Sequence, residues 1–117
     1  MSESVYSLYS KGHRLLQTGH PHAAVVVLER AAAAEPDKGS IREALGRALF
    51  NSGRWERAAD EFARAVEIDP VNDYAHFGLG LACERTGDVP RAVRHLKLAV
   101  AMQPRDVYRE ALERLTA

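Results

Sequence analysis

Residues 39–72 read GSIREALGRALFNSGRWERAADEFARAVEIDPVN, and this stretch decides the fold. Within it stand Leu45, Gly46, Leu49, Gly53, Ala58, Phe62, Ala65 and Pro70. Thirty-four residues earlier the chain carries Lys11, Gly12, Leu15, Gly19, Ala24, Leu28, Ala31 and Pro36. Thirty-four residues later it carries Leu79, Gly80, Cys83, Gly87, Ala92, Leu96, Ala99 and Pro104. Five of these columns are identical in all three copies, and two more stay apolar. A fixed period with its own residue type in each column marks a helical repeat array.

Within each copy the apolar spacing predicts two helices. The first copy places Val5, Leu8, Tyr9, Leu15 and Leu16 on one helical face, and Ser2 or Ser4 is suited to capping its start. Gly19 ends that helix, Pro21 opens the next, and Glu35-Pro36 stops it, because the proline ring cannot continue the hydrogen-bond ladder. In the second copy Ser40 and Glu43 have the spacing of a capping box. Asp73 is the expected cap in the third copy. Asp106 is expected to cap a seventh helix with Val107, Tyr108, Ala111, Leu112 and Leu115 on its apolar face. Glu113 and Arg114 fall where earlier copies carry Leu-Gly, so the last helix reads as a cap that closes the stack.

Gly12, Gly46 and Gly80 lie mid-helix, where glycine costs about 1 kcal/mol relative to alanine. The repeated cost implies close helix approach, with Ala24, Ala58 and Ala92 serving the same end on the second helix. Leu28, Phe62 and Leu96 fill the space between layers.

These columns resemble the tetratricopeptide repeat, a 34-residue helix–turn–helix unit. Leu45-Gly46, Ala58, Phe62, Ala65 and Pro70 carry the resemblance most directly; Leu79-Gly80, Ala92, Ala99 and Pro104 follow, and the first copy departs at Lys11. The expected architecture is all-α: a right-handed α-solenoid of three repeats, at about 5–38, 39–72 and 73–106, plus a capping helix at about 106–116, making residues 1–117 one domain.

The resemblance also implies that the first helix of each pair lines a concave groove. Its side chains would be Tyr6, Tyr9, His13 and Gln17, then Ser40, Glu43, Arg47, Phe50 and Asn51, then Tyr74, Phe77, Leu81, Glu84 and Arg85. Aromatic anchors with polar groups between them suit a peptide or partner helix. Some of these rings would instead complete the core. Some family members grip a chaperone carboxylate with Lys, Asn and Arg. The matching positions here are Tyr9, His13, Ala44, Tyr74 and Gly78, which argues against that role.

Composition narrows the function classes. Lys plus Arg equals Asp plus Glu at 16 each, which argues against a nucleic-acid binder dependent on counterion release. No apolar run approaches a membrane span, and the N-terminus does not read as a signal peptide, so a cytoplasmic location is expected. One cysteine, Cys83, excludes an internal disulfide and reads as a buried hydrophobe. The five histidines lack the convergent partners of a zinc site and read as surface residues, with His13 and His76 near the groove. Arg91, Arg94, His95 and Lys97 are expected on an outward helix face, and Trp55 against its neighbouring turn. No nucleophile–base pair or phosphate loop appears. The expectation is therefore a non-enzymatic scaffold without cofactor or metal, binding a protein or peptide partner. Self-assembly into a homo-oligomer is the alternative.

Overall fold

A computed structural model describes residues 3–117. Seven helices follow in chain order: α1 (Val5–Gln17), α2 (Pro21–Ala34), α3 (Gly39–Asn51), α4 (Trp55–Ile68), α5 (Asp73–Thr86), α6 (Val89–Met102) and α7 (Asp106–Thr116). The described residues contain no strand. Each helix packs on the next in sequence, giving an elongated stack of 52 × 24 × 22 Å. α3 also packs on both α1 and α5, whereas the even-numbered helices make no comparable contact with one another. The odd helices therefore line the inner side of the curve.

The mid-helix glycines explain how each pair closes. A Cβ at Gly12 would lie 2.5 Å from Leu28, and one at Gly80 would lie 2.7 Å from Leu96. At Gly46 the gap to the Phe62 ring would be 3.1 Å. Phe62 is also wedged against the next repeat, where a Cβ on Gly78 would overlap its ring. The ring is only 2% exposed, and burial of such a side chain stabilises by about 2–3 kcal/mol. Ala24, Ala58 and Ala92 are wholly buried in the facing helices. Between the helices of the second pair, Gly53 adopts φ +79°, a left-handed turn that a side chain would strain; Gly19 and Gly87 repeat it.

Several helix starts differ from the sequence expectation. The Ser4 hydroxyl does accept from the Ser7 N–H at 3.0 Å, while Ser2 lies outside the described residues. There is no capping box at Ser40 and Glu43. Helix α3 already begins at Gly39, and the Lys38 carbonyl accepts from Ile41 and Arg42. Glu43 is thereby left free for a different partner. The third copy is capped by Asn72 rather than Asp73, because the Asn72 side chain captures the Ala75 N–H at 3.0 Å. Asp106 likewise falls inside the first turn of α7, behind Arg105.

Helix α7 closes the stack through a narrow contact. Tyr108 is 1% exposed and its hydroxyl donates to the Asp73 carboxylate at 2.7 Å. Ala111 is buried beside it, but Val107, expected on the packed face, is 47% exposed. Leu115 is half-buried against the core, and the helix lies along α5, from Asp73 and Phe77 near its start to Glu84 near its end.

Candidate functional site

The concave face is built from side chains one and two turns apart on α1, α3 and α5. Tyr6 projects from its first turn, 80% exposed, and Tyr9 follows half-buried with His13. The Tyr9 hydroxyl and His13 Nε2 lie 2.9 Å apart. Glu43 reaches between repeats, accepting from Asn72 Nδ2 at 2.7 Å. Burial raises the Tyr9 phenol above its usual pKa, and the Glu43 charge adds to this. Burial also raises Tyr74; Arg47 opposes that shift and Glu43 adds to it. Tyr9 and Tyr74, from the first and third repeats, thus both lie within reach of the Glu43 charge of the second.

Toward the C-terminal end the face deepens. Phe50, Phe77, Leu81, Glu84 and Arg85 line a cleft of about 500 Å³, whose far wall comes from α7. That wall, from Val107, Glu110, Ala111 and Arg114, was not anticipated from the sequence. The signal was present in the apolar periodicity of α7, but nothing local shows where a terminal helix will lean. Asn51 is exposed at the end of α3, and Gln17 and Ser40 are also exposed.

Some of the expected ligand-facing groups already have internal partners. Arg114 holds Glu84 through two hydrogen bonds of 2.9 and 2.7 Å, which pull the Glu84 carboxyl below its usual pKa. Arg85 lies 5.0 Å over the Trp55 ring and 5.5 Å from Phe50, bridging the second and third repeats. Trp55 therefore packs beneath an arginine of the next repeat as well as beside its own turn. The aromatic residues form a ladder, with ring centres 6.4 Å apart for Phe62 and Tyr74, 6.2 Å for Tyr74 and Phe77, and 4.6 Å for Phe77 and Tyr108. Tyr74 and Phe77 are thus partly structural, whereas Tyr6 makes no hydrogen bond or ring contact among the described residues. Burial, reinforced by Asp73, pushes the Tyr108 phenol up to about 12.

Two histidines depart from the surface reading. His76 is 4% exposed and turned away from the concave face. Its Nε2 lies 2.8 Å from the Pro70 carbonyl and its Nδ1 lies 3.0 Å from Nδ1 of His95. The carbonyl can only accept, so the neutral His76 ring donates from Nε2 and receives the His95 N–H at Nδ1. His95, expected to face outward, therefore turns inward onto α5. Burial, with His76, Arg94 and Arg91 nearby, lowers its pKa to about 4. Cys83 is buried, and burial raises its thiol, as suits a packing residue. Among the described residues no three His, Cys, Asp or Glu side chains converge as a metal site requires, and no helix is long and apolar enough to cross a membrane.

A family model described as "Tetratricopeptide repeat" matches residues 9–73 and again 44–107. The chain belongs to the tetratricopeptide repeat family. A tetratricopeptide repeat relative, the small glutamine-rich tetratricopeptide repeat-containing protein 2 of Mycosarcoma maydis, is 33% identical over 69 residues, covering 59% of this chain and 20% of that protein. The chain spans only between 6% and 20% of the length of the curated relatives it matches. Among solved structures, the first tetratricopeptide domain of Spaghetti (RPAP3) bound to the HSP90 peptide SRMEEVD superposes with a TM-score of 0.92 at 16% identity, covering 99% of this chain and 93% of that one. YrrB, described as a tetratricopeptide protein with an unusual peptide-binding site, superposes at 0.86 with 25% identity, covering 99% and 59%.

Proposed function

We propose that the tetratricopeptide frame acts as one non-enzymatic interaction domain, holding a peptide segment of a partner protein along its concave face. The observation that carries this reading is the set of side chains on the inner helices, Tyr6 and Tyr9 on α1 and Glu43 and Arg47 on α3, leading to the cleft at Phe77 and Leu81 on α5. It joins an exposed aromatic ring, an acidic and a basic side chain and an apolar recess on one surface, which is what an extended peptide or amphipathic helix needs. The superposable Spaghetti domain is bound to a peptide and YrrB is described as having a peptide-binding site, which supports peptide capture by a frame of this kind.

The peptide chemistry differs from a carboxylate grip. Tyr9, Ala44, Tyr74 and Gly78 offer no cation at the positions where such a grip would form, and His13 is already engaged by Tyr9. A segment carrying apolar or aromatic side chains, one of them seated in the Phe50–Leu81 cleft, matches the lining better. We place the domain in the cytoplasm, where a reduced Cys83 is the expected state.

Panning a phage-displayed peptide library on the chain tests the reading. Selected peptides should bind Tyr6→Ala/Leu81→Ala at least about ten-fold more weakly, as expected when two anchors are lost, with helical circular dichroism unchanged. Peptides that bind the double variant as tightly as the parent would overturn it.

A further inference from the structure

The convex side carries a second candidate surface that the concave-face reading does not use. Helix α6 contains Arg91, Arg94 and Lys97 and no Asp or Glu. None of these three cations takes part in an ion pair among the described residues. The corresponding outer faces of the two earlier pairs are different. On α2, Glu29 pairs with Arg57 and Arg30 with Glu3; on α4, Arg64 pairs with Asp37 and Glu67. On those helices every arginine is paired, and α4 has more acids than bases, whereas the three cations of α6 stand unpaired among the described residues and with no acid beside them on the helix.

The shape of the α6 face adds a second observation. Pro90, Arg94 and Leu98 form one ridge of residues four apart, and Val93, Lys97 and Ala101 form the next. Between them lies an open, mostly apolar furrow of about 670 Å³. Leu98 remains 39% exposed and Val89, at the helix start, 42%. A furrow between two such ridges is what receives the ridge of another helix. One cation stands on each side of it, so the complementary helix carries apolar residues along its ridge and carboxylates on both flanks.

We propose that this furrow docks an acidic amphipathic helix of a partner protein. Apolar burial would supply contact, and Arg94 and Lys97 would select acidic flanks and fix the register. The furrow favours a helix over a membrane surface, because a bilayer offers no ridge to fill it.

The test uses a synthetic fluorescein-labelled helical peptide with Leu at every fourth position and Glu on both flanks. A second peptide replaces each Glu by Gln. The acidic peptide should bind at least about ten-fold more tightly than its Gln counterpart, with an affinity that falls as salt rises. Its amide shift changes should map to α6. Arg94→Glu/Lys97→Glu should lose that preference and gain affinity for a Lys-flanked peptide. Both positions are exposed, so circular dichroism should be unchanged. Tyr6→Ala/Leu81→Ala should bind the acidic peptide normally, which separates failure here from failure of the concave face. No binding, equal binding of the Glu and Gln peptides, or shifts confined to α1, α3 and α5 would overturn the proposal. So would capture by phosphatidylserine vesicles in preference to the peptide, or self-association abolished by the charge-reversed variant, which would assign the furrow to a membrane or to a second copy.

Discussion

Copies two and three place different chemistry at one equivalent pair of positions, 19 residues apart and facing each other across a helix pair. In copy two, Arg42 meets Glu61 with two hydrogen bonds of 3.1 and 2.9 Å, and both side chains are less than one-fifth exposed. In copy three, His76 meets His95 through a single Nδ1–Nδ1 contact, with the rings nearly parallel. Copy one carries Leu8 and Val27 there, both buried. The backbone frame is indifferent to the choice. What changes is the condition under which the contact survives: the ion pair needs both charges, the histidine pair needs at least one neutral ring, and the apolar pair needs neither.

The largest expected effect separates the two copies by their glycines. Gly80→Leu should destabilise by about 3 kcal/mol, since even a Cβ would crowd both Leu96 and the Ala92 carbonyl. Gly46→Ala should be nearly neutral, because the Phe62 ring has only tenths of an ångström to yield and alanine returns about 1 kcal/mol of helix propensity. Thermal melts of these variants and of Gly80→Ala decide it; equal losses for the two alanine variants would mean that the copies close with the same tightness.

The ion pair comes next. Glu61→Ala strands a half-buried guanidinium and should cost about 2 kcal/mol. The double change Arg42→Leu/Glu61→Val, which installs the pair used by copy one, should recover most of that loss. A double variant as unstable as the single would show that the charges set the spacing of the helices.

The histidine pair predicts acid sensitivity in copy three. His95 has a folded pKa of about 4 against an unfolded value near 6.5, so the unfolded state binds the proton more readily. Its contribution is complete above pH 6.5 and declines as the pH falls from there to about 4. Two charged rings would also oppose each other N–H to N–H, beside Arg91 and Arg94. Protection factors of the amides, which correct for the slower intrinsic exchange in acid, should fall in α5 and α6 across this window ahead of α3 and α4. His95→Leu should flatten that difference. Protection that falls equally in both pairs would place the acid-sensitive group elsewhere.

The smallest effects lie at the capping helix. Tyr108→Phe should cost about 1 kcal/mol through loss of the bond to Asp73. Arg114→Ala should cost less than about 0.5 kcal/mol, since its pair with Glu84 is half open to water. Denaturant titration ranks the two, and a reversed order would shift the anchor of α7 from the ring to the ion pair.

The residues differ in how openly the sequence announces these roles. Gly46, Phe62 and Pro70 recur at a fixed spacing, so both helices and the tight contact between them could be read directly. The approximate face shared by Tyr6, Tyr9 and His13 followed from helical spacing. His76 could not be read that way: its column holds Leu8 and Arg42 in the other copies, so position alone does not say whether it is buried. Nor could Gly78, whose need to be small comes from a phenylalanine in the preceding repeat. Its column holds Ala44 in copy two, after the shorter Leu28.

Local periodicity determined the repeat frame, because helix formation, turn glycines and the mid-helix contacts all act over spacings that recur along the chain. Tertiary packing decided which polar groups are spent inside the molecule. Glu43 finds Asn72 across 29 residues, Glu84 finds Arg114 across 30 and Asp73 finds Tyr108 across 35. Hydrogen bonds form over about 3 Å of space and are blind to distance along the chain. The helices can therefore be read from one copy of the unit, while the groups left over to meet a partner emerge only when all three copies and their closing helix are stacked.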